Sequence, residues 1–393
     1  MRGMFKIIKG GDIVAPEKIG ARDILICGGL IAAIGEGLDI GSLAGECEVI
    51  DADGLTVIPG CIDGHVHIIG GGGEAGYATR TPEVMLGDVV ACGITTVIGV
   101  LGTDGVTRHL ESLLAKARGL EEEGISTFIY TGSYEIPTVS FTKSVHKDMA
   151  LIDKVIGCGE IAVSDHRSSC PSREELARLA AQCRIGGMLS GKAGVLHLHM
   201  GDGHAGLAPI IDLAETTDIP IRQFYPTHVN RNESLLEDAI RFAKMGGVID
   251  MTSCISKAAG VKRAIDCSSA VRACVDRGVP LENITMSSDG NGSMSILDDD
   301  GKPAGLLVAR LDSLCGELSA LVDREGFELS EAVKIVTSNV ADYLKLRGKG
   351  RVAEGFCADL VLLGKKREIV HVFAKGRQMV KNSVTVAKGV FES

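Results

Sequence analysis

Two histidines separated by a single residue, His65 and His67, end an apolar run that begins at Val57. In an extended strand the side chains alternate between the two faces, so both imidazoles point the same way and can bind one metal ion. The alternative is a half-buried strand that carries two incidental histidines, and an isolated His-x-His pattern does not decide between these interpretations. Further histidines and carboxylates at the ends of later strands favour the metal site.

The same types of side chain recur at strand after strand along the following part of the chain. The candidates are His65 and His67 at the end of the first predicted strand, Glu160 in the fourth, His197 and His199 at the end of the fifth, His228 at the end of the sixth, and Asp289 after the eighth. Imidazole nitrogens and carboxylate oxygens suit Zn²⁺ and its neighbours among the divalent cations. The set therefore predicts a centre for two divalent metal ions, with Zn²⁺ as the expected ion.

The elements that must position these residues form an alternating βα pattern between Pro59 and Leu346. The predicted strands are 62–68, 95–100, 127–130, 159–164, 194–199, 224–228, 248–252 and 284–287. The predicted helices are 81–91, 108–123, 172–190, 207–216, 232–245, 268–277 and 306–324. This α/β pattern fits a closed (β/α)₈ TIM barrel, whose active site lies at the carboxyl ends of the strands. A doubly wound sheet is the weaker alternative, because no Gly-x-Gly-x-x-Gly motif opens a helix after the first strand.

Both ends of the chain show a sequence pattern of short strands separated by Gly and Asp. The predicted strands are 5–8, 13–14, 23–26, 30–34 and 47–51 at the amino end, and 358–363, 370–374, 378–381 and 385–386 at the carboxyl end. Each group is too short for a stable core of its own, so we expect the two to pair in one small β-sandwich. The predicted division is residues 1–58 and 347–393 for the two parts of the β-sandwich and residues 59–346 for the barrel.

Composition and charge narrow the range of functions. The 393 residues are 45% hydrophobic and 23% charged, which is typical of a globular protein with one large core and a small second one. The formal net charge of -10 and the absence of a Lys/Arg cluster argue against nucleic acid or an anionic membrane as partner, so a small-molecule substrate is expected. No apolar run approaches the ~20 residues of a membrane span, no export signal is recognisable, and the cysteines are scattered singly, so we expect a cytoplasmic protein.

Extended motifs carry a resemblance to a known family over nearly the full length of the chain. These motifs are His65-Val-His-Ile-Ile-Gly-Gly-Gly-Gly-Glu74-Ala-Gly, Leu101-Gly-Thr-Asp104, Thr131-Gly-Ser-Tyr134, Ser164-Asp-His-Arg167, His199-Met-Gly-Asp202, Pro226-Thr-His-Val-Asn-Arg-Asn232 and Ser287-Ser-Asp-Gly-Asn-Gly-Ser293. The sequence resembles the isoaspartyl dipeptidases of the amidohydrolase superfamily, metallopeptidases that cleave the β-linked peptide bond after an isoaspartyl residue. The resemblance implies a TIM barrel of the amidohydrolase type, hydrolysis of β-aspartyl dipeptides, and a homo-oligomer with an octamer as the expected form.

The resemblance also implies a set of metal ligands. For one ion they are His65, His67 and Asp289, and for the other they are His199 and His228. A residue of the fourth strand bridges both ions. Members of the family generally use a lysine carboxylated on its side-chain nitrogen there, whereas this chain, aligned on Ser164-Asp-His-Arg167, has Glu160.

Glu160 is therefore a departure from the family pattern. A carbamate and a glutamate each offer two oxygens that share one negative charge, so the electrostatics can be preserved. The glutamate carboxyl carbon lies three bonds nearer its Cα, which leaves a shortfall of roughly 3 to 4 Å. Because Gly159 is conformationally permissive, the strand can bulge inward and deliver Glu160 to the metals. The alternative is that Glu160 is misaligned and bridges nothing; Lys154, further upstream in a helical context, is not taken as the bridge.

The remaining motif residues are expected to bind the substrate or to take part in the reaction. The resemblance implies that Glu74 binds the free α-ammonium group, that Arg167 and Arg231 bind the two carboxylates, that Gly72, Thr103 and Ser293 contact the substrate, and that Tyr134 polarises the scissile carbonyl. Asp289 would take the proton of a metal-bridging hydroxide and pass it to the leaving amine. The alternatives are a solvated loop carboxylate, surface salt bridges and a packed core tyrosine. His197 is left outside the ligand set, as a residue that can support a ligand.

Three functions are compatible with these residues. The first is hydrolysis of β-aspartyl dipeptides by a metal-bridging hydroxide. The second is another amidohydrolase that acts on a cyclic amide, of the dihydroorotase or hydantoinase kind, which shares the metals but need not carry Glu74, Arg167 and Arg231. The third is a metal-free scaffold protein with the amidohydrolase fold, and retention of the predicted ligands argues against it.

Overall fold

The computed structural model describes residues 5–41, 46–297 and 303–392. Its amino-terminal part forms the strands β1 (Phe5–Val14), β2 (Lys18–Cys27), β3 (Leu30–Gly35), β4 (Cys47–Asp51) and β5 (Thr56–Pro59). Side chains in these strands alternate between faces: Ile24 and Ile26 of β2 are buried, while Leu25 between them is only half-buried.

Eight strands then follow at the positions that the sequence predicted. They are β6 (Cys61–Val66), β7 (Ile94–Gly99), β8 (Ser126–Thr131), β9 (Val155–Val163), β10 (Val195–Met200), β11 (Phe224–Thr227), β12 (Ile249–Thr252) and β13 (Ile284–Ser287). Neighbouring strands pair in parallel, and every residue of β6, β7, β9 and β10 is buried. Burial on both faces is what a barrel strand requires, because helices cover its outside and packed side chains fill its inside. The predicted TIM barrel is confirmed.

The helices of the described residues lie mostly between these strands. They are α1 (Leu86–Ala91), α2 (Leu110–Glu123), α3 (Val145–Leu151), α4 (Arg173–Ser190), α5 (Ala208–Thr216), α6 (Glu233–Lys244), α7 (Cys267–Asp276), α8 (Ser313–Asp323), α9 (Leu329–Val336) and α10 (Ser338–Tyr343). The start of α4 is a capping box, in which the side chains of Ser172 and Glu175 each accept the other's backbone N–H. Gly191 ends α4 in the left-handed conformation.

The helix predicted at 306–324 is wrong at its amino end. α8 begins only at Ser313, and the preceding residues belong to an antiparallel hairpin of β14 (Ser293–Leu297) and β15 (Pro303–Val308). Leu306 and Leu307 suggested a helix face, but both are exposed, so the pattern did not mark burial in a helix. The segment 298–302 between the two strands lies outside the described residues.

The helix predicted at 81–91 is also shorter than expected, because α1 begins at Leu86. Residues before it return to the loop that follows β6: Thr81 N donates to Gly71 O at 3.0 Å, and Gly71 N donates to Thr81 Oγ1 at 2.7 Å. These bonds hold Thr81 against the loop rather than in a first helical turn. They also fix the glycine-rich part of that loop.

The carboxyl-terminal strands join those of the amino terminus. β16 (Leu360–Leu363), β17 (Ile369–Ala374), β18 (Arg377–Lys381) and β19 (Val384–Thr385) continue from β5, because β16 pairs antiparallel with β5. The nine-stranded sheet has the order β19-β18-β17-β16-β5-β1-β2-β3, with β4 beside β1. Its apolar core draws on both ends of the chain, for example Ile13, Ile24, Val57, Leu362 and Phe373. A small β unit built from both termini is thus confirmed, while domain boundaries at 58 and 347 stay a proposal.

Two buried aspartates complete the barrel where its backbone ladder is interrupted. The ladder joins β6 through β11 and, separately, β12 to β13, so two seams remain. At one seam Asp63 of β6 accepts both the N–H (3.0 Å) and the hydroxyl of Ser288. At the other, Asp250 of β12 accepts hydroxyl groups of the strands on either side, from Tyr225, Thr227, Thr285 and Ser287. Both seams carry predicted ligands at their carboxyl ends, so these carboxylates help to fix the strands that present them.

Candidate metal and substrate site

The six predicted ligands meet at the carboxyl end of the barrel. They form overlapping buried groups with ligand atoms within 4.8 Å of one another, namely His65, His67 and Glu160; His65, His228 and Asp289; and Glu160, His199 and His228. His228 and Asp289 each follow a strand directly and have φ angles of 63° and 55°. This left-handed conformation is uncommon outside glycine and is typical of functional turns. It directs both side chains back to the barrel mouth.

Glu160 lies between the two groups of histidines. Its Oε1 is 3.5 Å from His65 Nε2 and 3.6 Å from His67 Nε2. Its Oε2 is 3.0 Å from His199 Nδ1 and 3.5 Å from His228 Nε2. Each carboxylate oxygen therefore faces one pair of imidazoles, which is the arrangement that a bridge between two cations needs.

A bulge in β9 brings Glu160 to this place. Cys158 pairs with Leu196 of β10 and Ile161 pairs with Leu198, so Gly159 and Glu160 stand opposite a single residue of β10. Gly159 has a φ of 152°. A Cβ at Gly159 would lie 2.5 Å from the carbonyl oxygen of His197, so only glycine fits. The predicted bulge is confirmed.

The geometry fits divalent cations of the size of Zn²⁺. Two ligand atoms bound tetrahedrally at about 2.1 Å lie about 3.4 Å apart. His65 Nε2 is 3.4 Å from Asp289 Oδ1 and 3.5 Å from Glu160 Oε1, while His67 Nε2 is 3.1 Å from Asp289 Oδ1. His65 Nε2 is fully buried and makes no hydrogen bond within the described residues. A buried nitrogen that faces two carboxylates without a hydrogen bond is what a ligand atom looks like without its metal.

The tautomer of His65 follows from a chain of hydrogen bonds. The carbonyl oxygen of Tyr225 can only accept, so His197 Nδ1, 3.1 Å away, carries the proton of that bond. Burial keeps the pKa of His197 well below its usual range, so this imidazole is neutral and its Nε2 accepts. His65 Nδ1, 2.8 Å from that Nε2, must then donate. In the neutral form of His65 the lone pair therefore sits on Nε2, toward the carboxylates, which is the form that binds a metal.

Asp165 helps to orient the ring of His199 from another element. Its Oδ2 lies 3.1 Å from His199 Nε2, which also lies 3.1 Å from Arg167 Nη2, while Glu160 Oε2 lies 3.0 Å from Nδ1, so these contacts orient the ring without selecting one tautomer. Tyr134 OH is 2.8 Å from the same Nδ1. Burial and the nearby charge of Glu160 raise the pKa of Tyr134 well above its usual value, so its hydroxyl stays protonated.

The concentration of charge shifts the pKa values of the cluster. Burial alone would lower the pKa of His65, but the carboxylates of Glu160 and Asp289 raise it to about 9. Burial would raise the pKa of Asp289, but its bond to His67 and the surrounding histidines hold it at about 2. The pKa of Glu160 is likewise held well below its usual value, against burial, by His65 and His199. Both carboxylates are therefore ionised and attract cations.

A second group of predicted residues surrounds the carboxylate of Glu74. Thr103 Oγ1 lies 3.1 Å from its Oε1, Ser293 Oγ lies 3.1 Å from its Oε2, and Arg167 Nη1 lies 3.3 Å from Oε1. Gly72, two residues upstream, has no room for a side chain, because a Cβ would lie 2.4 Å from the carbonyl oxygen of Thr79 and 3.0 Å from Ser293 Cβ. The structure thus brings the predicted substrate contacts together on one side of the cluster.

The two arginines that are predicted to bind the substrate carboxylates differ in their partners within the protein. Arg167 is paired with Asp165 through two hydrogen bonds of 2.9 Å, so only part of its guanidinium remains for a ligand. Arg231 lies 3.9 Å from Asp202, and its buried Nε finds no hydrogen-bond partner within the described ranges. Since its contact with Asp202 is long, Arg231 has more of its guanidinium available to an incoming carboxylate than Arg167 has.

Nearly all of these residues line one cavity of about 1040 Å³. Of the predicted site residues, those that line it are His67, Gly72, Glu74, Thr103, Tyr134, Glu160, Arg167, His199, His228, Arg231, Asp289 and Ser293. His65 lies behind this surface and is fully buried. A concave site with a few convergent polar groups and strongly shifted pKa values is the usual form of an enzyme active site.

Sequence reasoning missed two residues and set one aside correctly. Asp165 was quoted within Ser164-Asp-His-Arg167 but received no role, although its place in the motif was the available signal. Arg108 was placed at the start of a helix and gave no signal; it is buried beneath the glycine loop. Lys154 lies at the amino end of β9, away from the cluster, and pairs with Glu121.

Comparison with known proteins places this site in a family. The model of the amidohydrolase family matches residues 227–379. A solved structure of the beta-aspartyl dipeptidase from Fervidobacterium islandicum, in complex with a beta-Asp-Leu dipeptide, is 45% identical, superposes with a TM-score of 0.90, and covers 97% of this chain and 98% of that one. The chain belongs to the beta-aspartyl dipeptidase family of the amidohydrolases.

The chain is also similar to more distant proteins, one by sequence and one by structure. A dihydroorotase from Streptococcus thermophilus is 23% identical over 411 residues, covering 92% of this chain and 90% of the relative. The dihydropyrimidinase structure from Brevibacillus agri is 18% identical with a TM-score of 0.69, covering 98% of this chain and 97% of that one. The protein is an amidohydrolase by its similarity to the solved dipeptidase, and its histidines and carboxylates form groups with the spacing of metal ligands. No helix in the described ranges combines the length and the apolar character needed to cross a membrane.

Proposed function

We propose that this protein is a β-aspartyl dipeptidase that binds two divalent cations, with Zn²⁺ as the expected ion. The observation that carries the proposal is the position of Glu74, whose carboxylate is held by Thr103, Ser293 and Arg167 in the cavity that the ligands share. A fixed carboxylate beside a cation cluster suits a substrate with a free ammonium group near the bond to be cleaved. The relative solved with beta-Asp-Leu supports the same substrate class.

The chain's own residues supply the remaining parts of the reaction. His65, His67 and Asp289 would hold one cation and His199 and His228 the other, with Glu160 between them. When bound, such cations polarise the scissile carbonyl and lower the pKa of water. Asp289 takes the proton of the attacking water at its carboxylate and passes it to the leaving amine. The protonated hydroxyl of Tyr134 donates to the oxygen that becomes negative.

The cavity has a charged region and an apolar region that suit different parts of a dipeptide. Arg231 offers its guanidinium to a carboxylate, and the neighbouring loop after β12 lies beside it, since Asn230 Nδ2 donates to Ile255 O at 3.3 Å. An apolar part of the cavity wall follows, formed by Ile255, Val261, Met294 and Leu306. If Arg231 binds the carboxylate of the leaving residue, the side chain of that residue meets this wall. An aliphatic leaving residue such as leucine is therefore the suitable test substrate.

The competing functions make different demands on these residues. A hydrolase of cyclic amides needs the metals, and the dihydroorotase relative gives that option some weight. Its substrates carry no free ammonium group, so a carboxylate fixed by three partners would have no purpose there. A metal-free scaffold would have no need to keep buried, ionised carboxylates that face a buried nitrogen without a hydrogen-bond partner among the described residues, because such groups are costly to retain.

The test compares substrates on one purified, metal-loaded protein. We expect hydrolysis of β-aspartyl-leucine, with α-aspartyl-leucine and dihydroorotate turned over at least about a hundredfold more slowly by kcat/KM. Asp289→Asn is the matched control, and it should lower kcat by about 10²–10⁴-fold, because an amide cannot accept the proton. Metal analysis of the same samples should find two ions per chain. Preferred turnover of dihydroorotate would refute the dipeptidase proposal, and a protein that binds no metal would refute any metal-dependent function.

A homo-oligomer, with an octamer as the expected form, remains a prediction from the family resemblance. Light scattering on the purified protein gives its mass in solution and so tests the prediction directly. The cytoplasmic location likewise remains a prediction.

A further inference from the structure

Arg108 is a buried arginine that the proposed reaction does not use. It stands just before α2, in the loop after β7, and only 5% of its side chain is exposed. A buried guanidinium is costly unless its donors are satisfied, so its partners indicate its purpose.

The partners of Arg108 are mainly backbone carbonyls of the loop after β6. Nη2 donates to Gly71 O at 2.8 Å and to Thr81 O at 3.2 Å, while Nη1 donates to Gly72 O at 3.3 Å and Nε to Ile69 O at 3.3 Å. A guanidinium has five donors in a rigid plane, so one side chain can hold several carbonyls at once. Removing it would leave these buried acceptors without that donor, and the loop would have to rearrange.

Asp104 fixes the guanidinium in turn. Its Oδ2 accepts from Arg108 Nη1 at 3.4 Å and from Arg80 Nη1 at 2.6 Å. Its Oδ1 accepts the N–H groups of Val106 and Thr107 at 3.1 and 2.7 Å, which anchor the carboxylate in its own loop. The loops after β6 and β7 are therefore tied together by charge-assisted hydrogen bonds rather than by a strand pairing.

The part of the loop that Arg108 holds leads directly to Glu74. Gly71 and Gly72 stand three and two residues before it, and the Glu74 carboxylate meets Thr103 of the second loop and Ser293. Since Thr103 and Arg108 lie in the same loop, one short segment both receives the Glu74 carboxylate and holds the backbone that carries it. A shift of the glycine loop would move Glu74 away from these partners.

We infer that Arg108 is a positioning residue for substrate recognition: by holding the carbonyls of Ile69, Gly71 and Gly72, it sets the place of Glu74 and with it the affinity for the substrate's α-ammonium group. This inference rests on the proposed function. It assigns Arg108 no contact with the substrate and no part in proton transfer. Its effect should therefore disappear when the carboxylate that it positions has been removed.

A double-mutant cycle on the metal-loaded protein tests this coupling. The variants are Arg108→Met, Glu74→Gln and the double variant, assayed with β-aspartyl-leucine. We expect Arg108→Met to raise KM by about tenfold in the wild-type background, with kcat changed less than KM, but by less than about twofold in the Glu74→Gln background. Arg108→Lys keeps the charge and part of the donors, so its KM should lie between those of the wild type and Arg108→Met. Metal content should stay at two ions in all variants.

A second measurement separates positioning from general stability. Wild-type enzyme should prefer free β-aspartyl-leucine over its N-acetylated form, and Arg108→Met should reduce this preference, which a purely structural loss would not do. The same KM factor in both backgrounds, or an unchanged preference for the free amine, would overturn the inference. If Arg108→Met does not fold, Arg108→Lys takes its place in the cycle. Absence of turnover by the wild type would refute the proposed function itself, whereas additive effects in an active enzyme refute only the role of Arg108.

Discussion

Buried charged side chains are paired with each other at one end of the barrel, whereas at the other end they surround a space that suits cations. At the amino end Lys349 Nζ lies 2.6 Å from Asp359 Oδ2 and 2.6 Å from Ser126 Oγ, and both side chains of this ion pair are less than 8% exposed. At the carboxyl end Glu160 and Asp289 lie among histidines, and His65 Nε2 has no hydrogen-bond partner in the part of the chain that the structure describes. The first arrangement is complete as it stands. The second becomes complete only when cations are added.

This difference shows how function is separated from stability in the molecule. The pair of Lys349 and Asp359 joins the barrel to the nine-stranded sheet, because Asp359 also accepts the N–H of Lys375 at 2.7 Å. The carboxylates at the carboxyl end instead face the ligand nitrogens of the histidines across a space that suits cations. Substitutions at the two ends should therefore separate cleanly, one end affecting metal binding and turnover and the other the free energy of unfolding.

The largest effect is expected for Glu160→Gln. The amide keeps the shape of the side chain but removes the charge that two cations would share, and loss of one partner from a buried charged network costs about 3–5 kcal/mol. Affinity for the second metal should fall on the order of 10³-fold, with a large loss of kcat. Titration of the apoprotein with Zn²⁺, followed by metal analysis and β-aspartyl-leucine turnover, measures both.

The same residue makes a prediction about bicarbonate. A carbamate forms only when CO₂ adds to a lysine, whereas the carboxylate of Glu160 is permanent, so reconstitution of the wild type by Zn²⁺ should not depend on bicarbonate. Glu160→Lys provides the matched variant, because only it could depend on added bicarbonate. If Glu160→Gln binds two metals tightly and keeps full activity, Glu160 is not the bridge and only packs in the barrel core.

Lys349→Met tests the opposite end. It leaves Asp359 buried without its cation and should lower the free energy of unfolding by about 3 kcal/mol, while kcat and KM of the folded protein stay unchanged. The double variant Lys349→Met with Asp359→Asn removes both charges and keeps an acceptor for Lys375 N–H, so much of the stability should return. Chemical denaturation of the three proteins measures this. A loss of metal affinity in Lys349→Met would contradict the separation of the two ends.

The sequence predicted the features that repeat and the residues that motifs mark. Strand positions followed from short apolar runs between turn residues, and Glu160 followed from its distance to the Ser164–Arg167 motif together with the adjacent glycine. The hairpin of β14 and β15 was missed because its pairing is a contact between two segments, while Leu306 and Leu307 locally imitate a helix. Arg108 and Asp165 were missed for a related reason. Their roles depend on partners in other loops, and a single sequence does not show which loops meet.

The smallest effect is expected at His197, which supports a ligand without being one. Its ring packs between Tyr130 and Tyr225, with centroid distances of 4.7 and 4.9 Å. Its Nε2 accepts a hydrogen bond from His65 Nδ1. His197→Leu removes that acceptor, so His65 loses its preference for the tautomer with a free Nε2. Residues that orient a ligand in this way typically contribute about 10- to 100-fold to metal affinity, and a loss in this range is expected.

His197→Gln is the control, because its amide oxygen can still accept, and it should retain more affinity than His197→Leu. The measurement is competition for Zn²⁺ against a chelator of known affinity, with unfolding followed in parallel. Equal metal affinity in both variants would mean that the hydrogen bond does not select the tautomer and that His197 only fills space between the two tyrosines.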